Sequence, residues 1–281
     1  MRFGLKTAPQ HTTWADMLAV WQAADEIDFY ESGWTFDHFY PIHSDSTGPC
    51  LEGWTTTTAL AHATRRLRVG VLVTGMPYRH PAVLANMAAT LDVISDGRLE
   101  LGLGAGWNEE EAGAYGIDLH ATLTDRFDAF DEGVEAIIGL LANETTTLDG
   151  KFVQLAAARC EPKPVQRPHP PIVIGGAGER RTLRSVARYA QHWNFPGGLP
   201  EFFVQRREVL AKHCAAIGRD VDEIVTSTHL RLPPDGDVGP LVHQTEQMAE
   251  AGLKYGIIRL GPEHTPDVLE PVAKALDHLL D

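Results

Sequence analysis

Asp37 and His38 stand side by side at the end of a predicted strand, Gly33–His38. A carboxylate next to an imidazole can move protons near neutral pH, because histidine titrates there. The same pair can equally be an aspartate capping a loop beside a half-buried histidine. A second cluster, Gly175-Gly176-Ala177-Gly178, follows the apolar run Ile172-Val173-Ile174 and precedes a helix predicted from Glu179. Small residues before a helix expose N–H groups at its positive end, which suits an anion such as phosphate. Arg180 and Arg181 fall in the first predicted turn of that helix, and Arg184 and Arg188 share a face with Arg180. Residues 179–219 hold eight basic side chains against three acidic ones, although such runs are more often solvated faces. A third cluster is Gly102-Leu103-Gly104-Ala105-Gly106-Trp107-Asn108. Alternate glycines in a strand mark close approach of another backbone or of a ligand, which makes Gly106 a candidate binding residue. The glutamates Glu109–Glu111 that follow read as the start of a solvated helix. Thr74 and Gly75 end a long apolar strand and would offer a hydroxyl and bare backbone to a flat ligand. His38 and His43 are close in sequence, but no HxH pair follows the first strand, so no metal site is assigned.

These residues form a site only if the elements between them bring them together. Strands are predicted at Arg2–Thr7, Gly33–His38, Leu67–Thr74, Leu99–Gly104, Pro171–Gly175, His192–Phe195, Ile224–Leu230 and Tyr255–Leu260. Helices are predicted at Trp14–Asp28, Gly53–Ala63, Pro81–Ile94, Thr124–Leu141, Glu179–Ala190, Glu201–Ile217, Leu241–Ala251 and Val268–Leu280. Eight strand–helix units imply an α/β chain closed into a (β/α)8 TIM barrel of one domain, residues 1–281, with the active site at the carboxyl ends of the strands. A doubly wound sheet fits less well, because its first turn usually carries a glycine fingerprint and Thr7-Ala8-Pro9-Gln10 has none. Residues 143–170 break the rhythm. They read as a surface excursion with a hairpin through Thr145–Leu148 and Phe152–Leu155.

The composition narrows the function. The chain has 281 residues, 43% of them hydrophobic, and a net charge of −14. That excludes a disordered chain and argues against general nucleic-acid binding. No apolar run approaches the length of a membrane span. The opening MRFGLKTAPQ has no signal-type apolar stretch, and Cys50, Cys160 and Cys214 form neither a metal pattern nor a disulfide framework. A cytoplasmic protein acting on a small molecule, without nucleic-acid or membrane partners, is expected.

The blocks VTGMPYRHPAVLANMAATLDVISDGRLELGLGAGWNEEE and EPKPVQRPHPPIVIGGAGERRTLRSVARYAQHWN, preceded by Asp-His, resemble the bacterial-luciferase-like monooxygenase superfamily. Within it, the chain is similar to the coenzyme F420-dependent oxidoreductases. The resemblance is strong over residues 1 to about 200 and architectural beyond. It implies a luciferase-like TIM barrel that binds the 8-hydroxy-5-deazaflavin coenzyme F420, or FMN, over the strand ends. It places Asp37 by the deazaflavin and His38 at its reacting face as the proton carrier. It puts a non-proline cis peptide at Val71–Leu72 behind the ring, Thr74 beside it, and the phosphate on Gly175, Gly176, Ala177 and Gly178. The implied activity is hydride transfer at deazaflavin C5. The rivals are an FMN-dependent two-component monooxygenase and a non-catalytic flavin-binding protein. The deazaflavin sugar-phosphate dehydrogenases carry a Glu after the fourth-strand glycines. Trp107 stands there instead, which argues against a sugar phosphate. A homodimer is compatible with the family.

Overall fold

The computed structural model describes residues 1–280. Its strands are β1 (Arg2–Thr7), β2 (Tyr30–Thr35), β3 (Arg68–Val71), β4 (Thr74–Gly75), β5 (Leu101–Gly104), β6 (Thr146–Asp149), β7 (Gln154–Ala158), β8 (Ile172–Gly175), β9 (His192–Phe195), β10 (Val225–Arg231) and β11 (Tyr255–Leu260). Its α-helices are α1 (Trp14–Asp25), α2 (Gly53–Ala63), α3 (Pro81–Ile94), α4 (Glu109–Ala114), α5 (Leu123–Ala142), α6 (Thr182–Tyr189), α7 (Pro200–Ala216), α8 (Val238–Glu250) and α9 (Leu269–Leu276).

Nine strands form one parallel sheet in the order β3-β2-β1-β11-β10-β9-β8-β5-β4. The two ends of that order are β3 and β4, which are halves of one interrupted strand. The sheet therefore returns almost to its own beginning, as a nearly closed barrel. Val69 of β3 also bridges Leu99, ahead of β5. The interruption falls at Leu72–Val73, whose peptide bond is cis. This corrects the expected position, Val71–Leu72, by one residue. Val71 remains regular strand, paired with Thr35 of β2.

Strand alternation divides the apolar residues into two layers. Phe3, Leu5, Val69, Val71, Leu101 and Ile174 belong to the large core that also takes the helices. Trp34, Leu72, Val173 and Ile257 form a separate small cluster. A buried polar network adjoins it. Glu100, held down to about 2, accepts from Arg68 Nε at 2.7 Å and lies 3.0 Å from His192 Nδ1. Burial opposes that shift, and His192 and Arg68 outweigh it.

Several boundaries move for local reasons. Thr122 caps α5 by accepting from the Asp125 N–H at 3.0 Å, so the helix begins before the predicted Thr124. The excursion is a hairpin, as expected, but its strands β6 and β7 lie further along the chain. Glu132 of α5 accepts from the N–H groups of Lys151, Phe152 and Val153, which fixes the turn there. Among the described residues no helix is long and apolar enough to cross a membrane.

Candidate active site

A cavity of about 540 Å³ opens at the carboxyl ends of the barrel strands. It lies within the range of small-molecule sites. Asp37 and His38 line it just past the end of β2, as do Leu72, Thr74, Gly106, Gly175 and Gly176.

Asp37 is buried, and its oxygens take both arms of Arg79, at 2.7 and 2.8 Å, and the Gly75 N–H at 3.1 Å. Three of its roughly four acceptor sites are thus filled from within the protein. Burial pushes Asp37 up to about 6, against the pull of Arg79 and the Gly75 N–H, so at neutral pH the pair is ionic. Arg79 reaches Glu52 as well, at 2.8 Å. It is therefore fully engaged, not a free cation for a phosphate.

Glu111 is fully buried, not part of a solvated helix face. Asn108 caps α4 by accepting from the Glu111 N–H, and that start turns the third of the three glutamates inward. Glu111 accepts from Phe39 N–H at 2.6 Å and Tyr78 O–H at 2.6 Å, and it meets His38 Nδ1 at 2.7 Å. Burial first, and Glu111 second, push the Tyr78 phenol far up, so it donates. A carboxylate only accepts, so His38 carries its proton on Nδ1. Burial holds His38 below its ordinary value, although Glu111 pulls the other way, so the ring is neutral near pH 7. Its Nε2 is the remaining basic nitrogen. Trp107 leans on the same histidine edge-on, with centroids 5.5 Å apart, and stacks on His43 at 5.8 Å. Trp107 walls the mouth of the cavity.

The facing wall is built of small groups braced from behind. Trp54 donates its Nε1–H to Thr74 Oγ1 at 3.0 Å, and Trp193 donates to the Gly176 carbonyl at 2.7 Å. Among the tryptophans of the described residues, only Trp107 lines the cavity; Trp54 and Trp193 are buried supports. Gly102 must be glycine for packing, since a Cβ there would lie 2.0 Å from the Val71 carbonyl oxygen. Its neighbour is backbone, not a ligand. Gly176 has φ +123°, which only glycine adopts readily.

The helix after this turn starts at Thr182, three residues later than predicted, with Glu179–Arg181 as a turn. No side chain caps α6, and Thr182 at its first turn lines the cavity beside Gly175 and Gly176. Ala177 instead packs against the core and Gly178 is exposed at the rim, so neither lines the cavity. Val71 is likewise core. The basic island is mostly neutralised in space. Arg181 meets Asp128 and Asp131, Arg188 meets Glu135, Arg206 meets Glu179 and Arg207 meets Asp222. A charge count along the chain misses the acidic face of α5 that supplies three of these partners.

Three further cavity residues, Lys6, His229 and Arg259, were not singled out from the sequence. The available signal was strand alternation. Phe3 and Leu5 face the helices, which turns Lys6 into the barrel.

A family model described as luciferase-like monooxygenase matches residues 1–235. The chain belongs to this family. Uncharacterised proteins of Mycobacterium tuberculosis and Mycobacterium bovis are 35% identical to it over 144 residues, 51% of this chain and 49% of theirs. The match spans about half the length of these curated relatives. Among solved structures, an F420-dependent secondary alcohol dehydrogenase, determined with an F420–acetone adduct, superposes with a TM-score of 0.88 at 17% identity, covering 100% of this chain and 99% of its own. The coenzyme F420-dependent tetrahydromethanopterin reductase of Methanopyrus kandleri gives 0.85 at 17%, covering 99% of each chain. The monooxygenase RslO1 of Streptomyces bottropensis gives 0.79 at 21%, covering 100% and 98%. Members of this fold thus include both F420-dependent enzymes and monooxygenases.

Proposed function

We propose that this luciferase-like protein is a coenzyme F420-dependent oxidoreductase that exchanges a hydride with a small organic substrate, with His38 as the proton carrier. The observation that carries the reading is the His38–Glu111 contact of 2.7 Å. It fixes the Nδ1–H tautomer and leaves a basic Nε2 on a residue that lines the cavity.

The residues present fit a flat coenzyme with a phosphate. The uncapped start of α6 turns its positive end toward the phosphate, beside the cavity residues Gly175, Gly176 and Thr182. Leu72, Thr74 and Gly106 line the place for the ring system. Asp37 acts by holding Arg79 and the β4 backbone in position. When bound, the deazaflavin supplies a two-electron hydride acceptor or donor. His38 Nε2 takes the hydroxyl proton of an alcohol substrate in oxidation and returns it in reduction. Glu111 stabilises the imidazolium that forms, and Tyr78 O–H and Phe39 N–H keep the carboxylate in place. Two F420-dependent enzymes among the structural neighbours support the choice of coenzyme.

The second reading, an FMN-dependent monooxygenase, is favoured by the name of the matching family and by the neighbour RslO1. Titration of the protein with F420 and with FMN, followed by fluorescence, separates the two. Tighter binding of F420 is expected. Equal or tighter binding of FMN moves the protein to the monooxygenase reading.

A further inference from the structure

We propose that Lys6, His229 and Arg259 form a carboxylate-recognition subsite in the cavity, and that the substrate of this oxidoreductase carries a carboxylate. The substrate half of the proposal rests on the oxidoreductase reading above.

The three residues come from adjacent strands, in the order β10-β11-β1. Lys6 lies opposite Arg259 in the β1–β11 register. His229 lies opposite Ile257, two residues before Arg259 and so on the same face of β11. Ile257 belongs to the small apolar cluster, and the three basic side chains line the cavity.

What sets them apart is the lack of counter-charge. Among the described residues, none of the three forms an ion pair. The hydrogen bond of Lys6 goes to a neutral acceptor, the Leu72 carbonyl, at 3.2 Å. His229 Nε2 is shut off from solvent and has no hydrogen-bond partner. Glu263 acts on Arg259 only from beyond ion-pair distance, and Arg231 opposes it. Basic side chains that converge with little access to water destabilise a fold when charged, unless something supplies the opposite charge. A purely structural cation is saturated, by a carboxylate as Arg79 is by Asp37, or by a set of backbone carbonyls as Arg98 is by those of Leu67, Ala61 and Thr64. These are not, and they face the space where a substrate would sit.

The charge they offer suits a monoanion. Burial, and then Arg259, bring Lys6 down to about 7, and burial keeps His229 neutral, so Arg259 is the one permanent cation of the three. The place also suits substrate better than coenzyme phosphate. The phosphate turn lies on β8, and β9 separates it from β10. Lys6 in turn is near enough to His38 to act on its charge. A carboxylate held by the trio would leave the rest of a small substrate toward His38.

Calorimetric titration of the full chain with sodium pyruvate, with 2-butanone as neutral analogue and with inorganic phosphate tests this, on the wild type, Lys6→Met and Arg259→Met. Pyruvate should bind the wild type and at least tenfold more weakly to each variant. Butanone should not bind detectably, and F420 affinity should stay within twofold throughout. No pyruvate binding, equal binding in all three proteins, or phosphate binding tighter than pyruvate would overturn the carboxylate subsite. A fall in F420 affinity in the variants with pyruvate binding unchanged would also overturn it, and would assign the cations to the coenzyme. If pyruvate behaves as expected but neither F420 nor FMN binds, the subsite stands and the oxidoreductase reading falls, with the substrate assignment.

Discussion

The cavity has one wall of matched charges and one of unmatched charges. On the side of β2, β4 and α4, Asp37 holds Arg79, and His38, Tyr78 and Phe39 all converge on Glu111. On the side of β1, β10 and β11, Lys6, His229 and Arg259 face the same space with no carboxylate among them. The first wall is complete without a ligand, so it can hold a proton carrier in one tautomer and one orientation. The second wall is complete only when an anion arrives. Removing a charge should therefore have opposite effects on the two sides. In the paired wall it strands a partner, and in the unpaired wall it relieves repulsion and desolvation.

The largest effect is expected at Arg79. Arg79→Met leaves Asp37 buried without its cation and should cost about 3–5 kcal/mol of stability, read from urea denaturation. A loss below about 1 kcal/mol would mean that Asp37 takes up a proton instead, and that the wall does not depend on the pair. His38→Ala comes next. It should lower kcat about a hundredfold or more, in line with general acid–base contributions. Coenzyme affinity and melting temperature should change little, because Glu111 keeps its bonds to Phe39 and Tyr78. A less stable but fully active variant would make His38 structural.

Lys6→Met should shift stability the other way, raising Tm by about 2 °C or more. In the folded chain Lys6 loses its proton at about 7, against 10.5 for an ordinary lysine. Between those two pH values the unfolded chain binds more protons, so native stability climbs with pH. The groups acting on Lys6 and its neighbours are Arg259, His229 and His38. The advantage of Lys6→Met is therefore largest at about pH 7 and below, and it vanishes toward the ordinary lysine value. A Tm advantage that does not change with pH would mean that the gain comes from packing. The smallest effect belongs to Glu111→Gln. Glu111 raises the proton affinity of His38, so its loss should move the acid limb of the pH–rate profile to lower pH. The fall in kcat should be smaller than for His38→Ala, and an unmoved limb would uncouple the two residues.

Much of the barrel was legible because each strand–helix unit is local. Tyr255–Leu260 and His192–Phe195 were bounded by apolar runs and lie where periodicity put them. The Asp-His pair and the glycine turn were legible for the same reason, as short contiguous motifs, and the pair and the first two glycines of the turn line the cavity. Errors arose where a distant group intervened or where the local backbone left regular geometry. Glu132 moved the hairpin strands, and the turn of residues 179–181 delayed α6. The break at Leu72–Val73 divided what reads as one unbroken strand.

The sequence by itself determined the number and order of the strand–helix units, the luciferase-like resemblance and the two motifs at the strand ends, because each is written within a few consecutive residues. Only the tertiary structure decided how their charges are settled. Glu111 lies 73 residues from His38, Asp128 lies 53 from Arg181, and Lys6 and Arg259 meet only because β1 pairs with β11. Electrostatic energy depends on distance through space, and barrel closure brings the first and last strands together, so no count along the chain could show which charges are paired and which await a ligand.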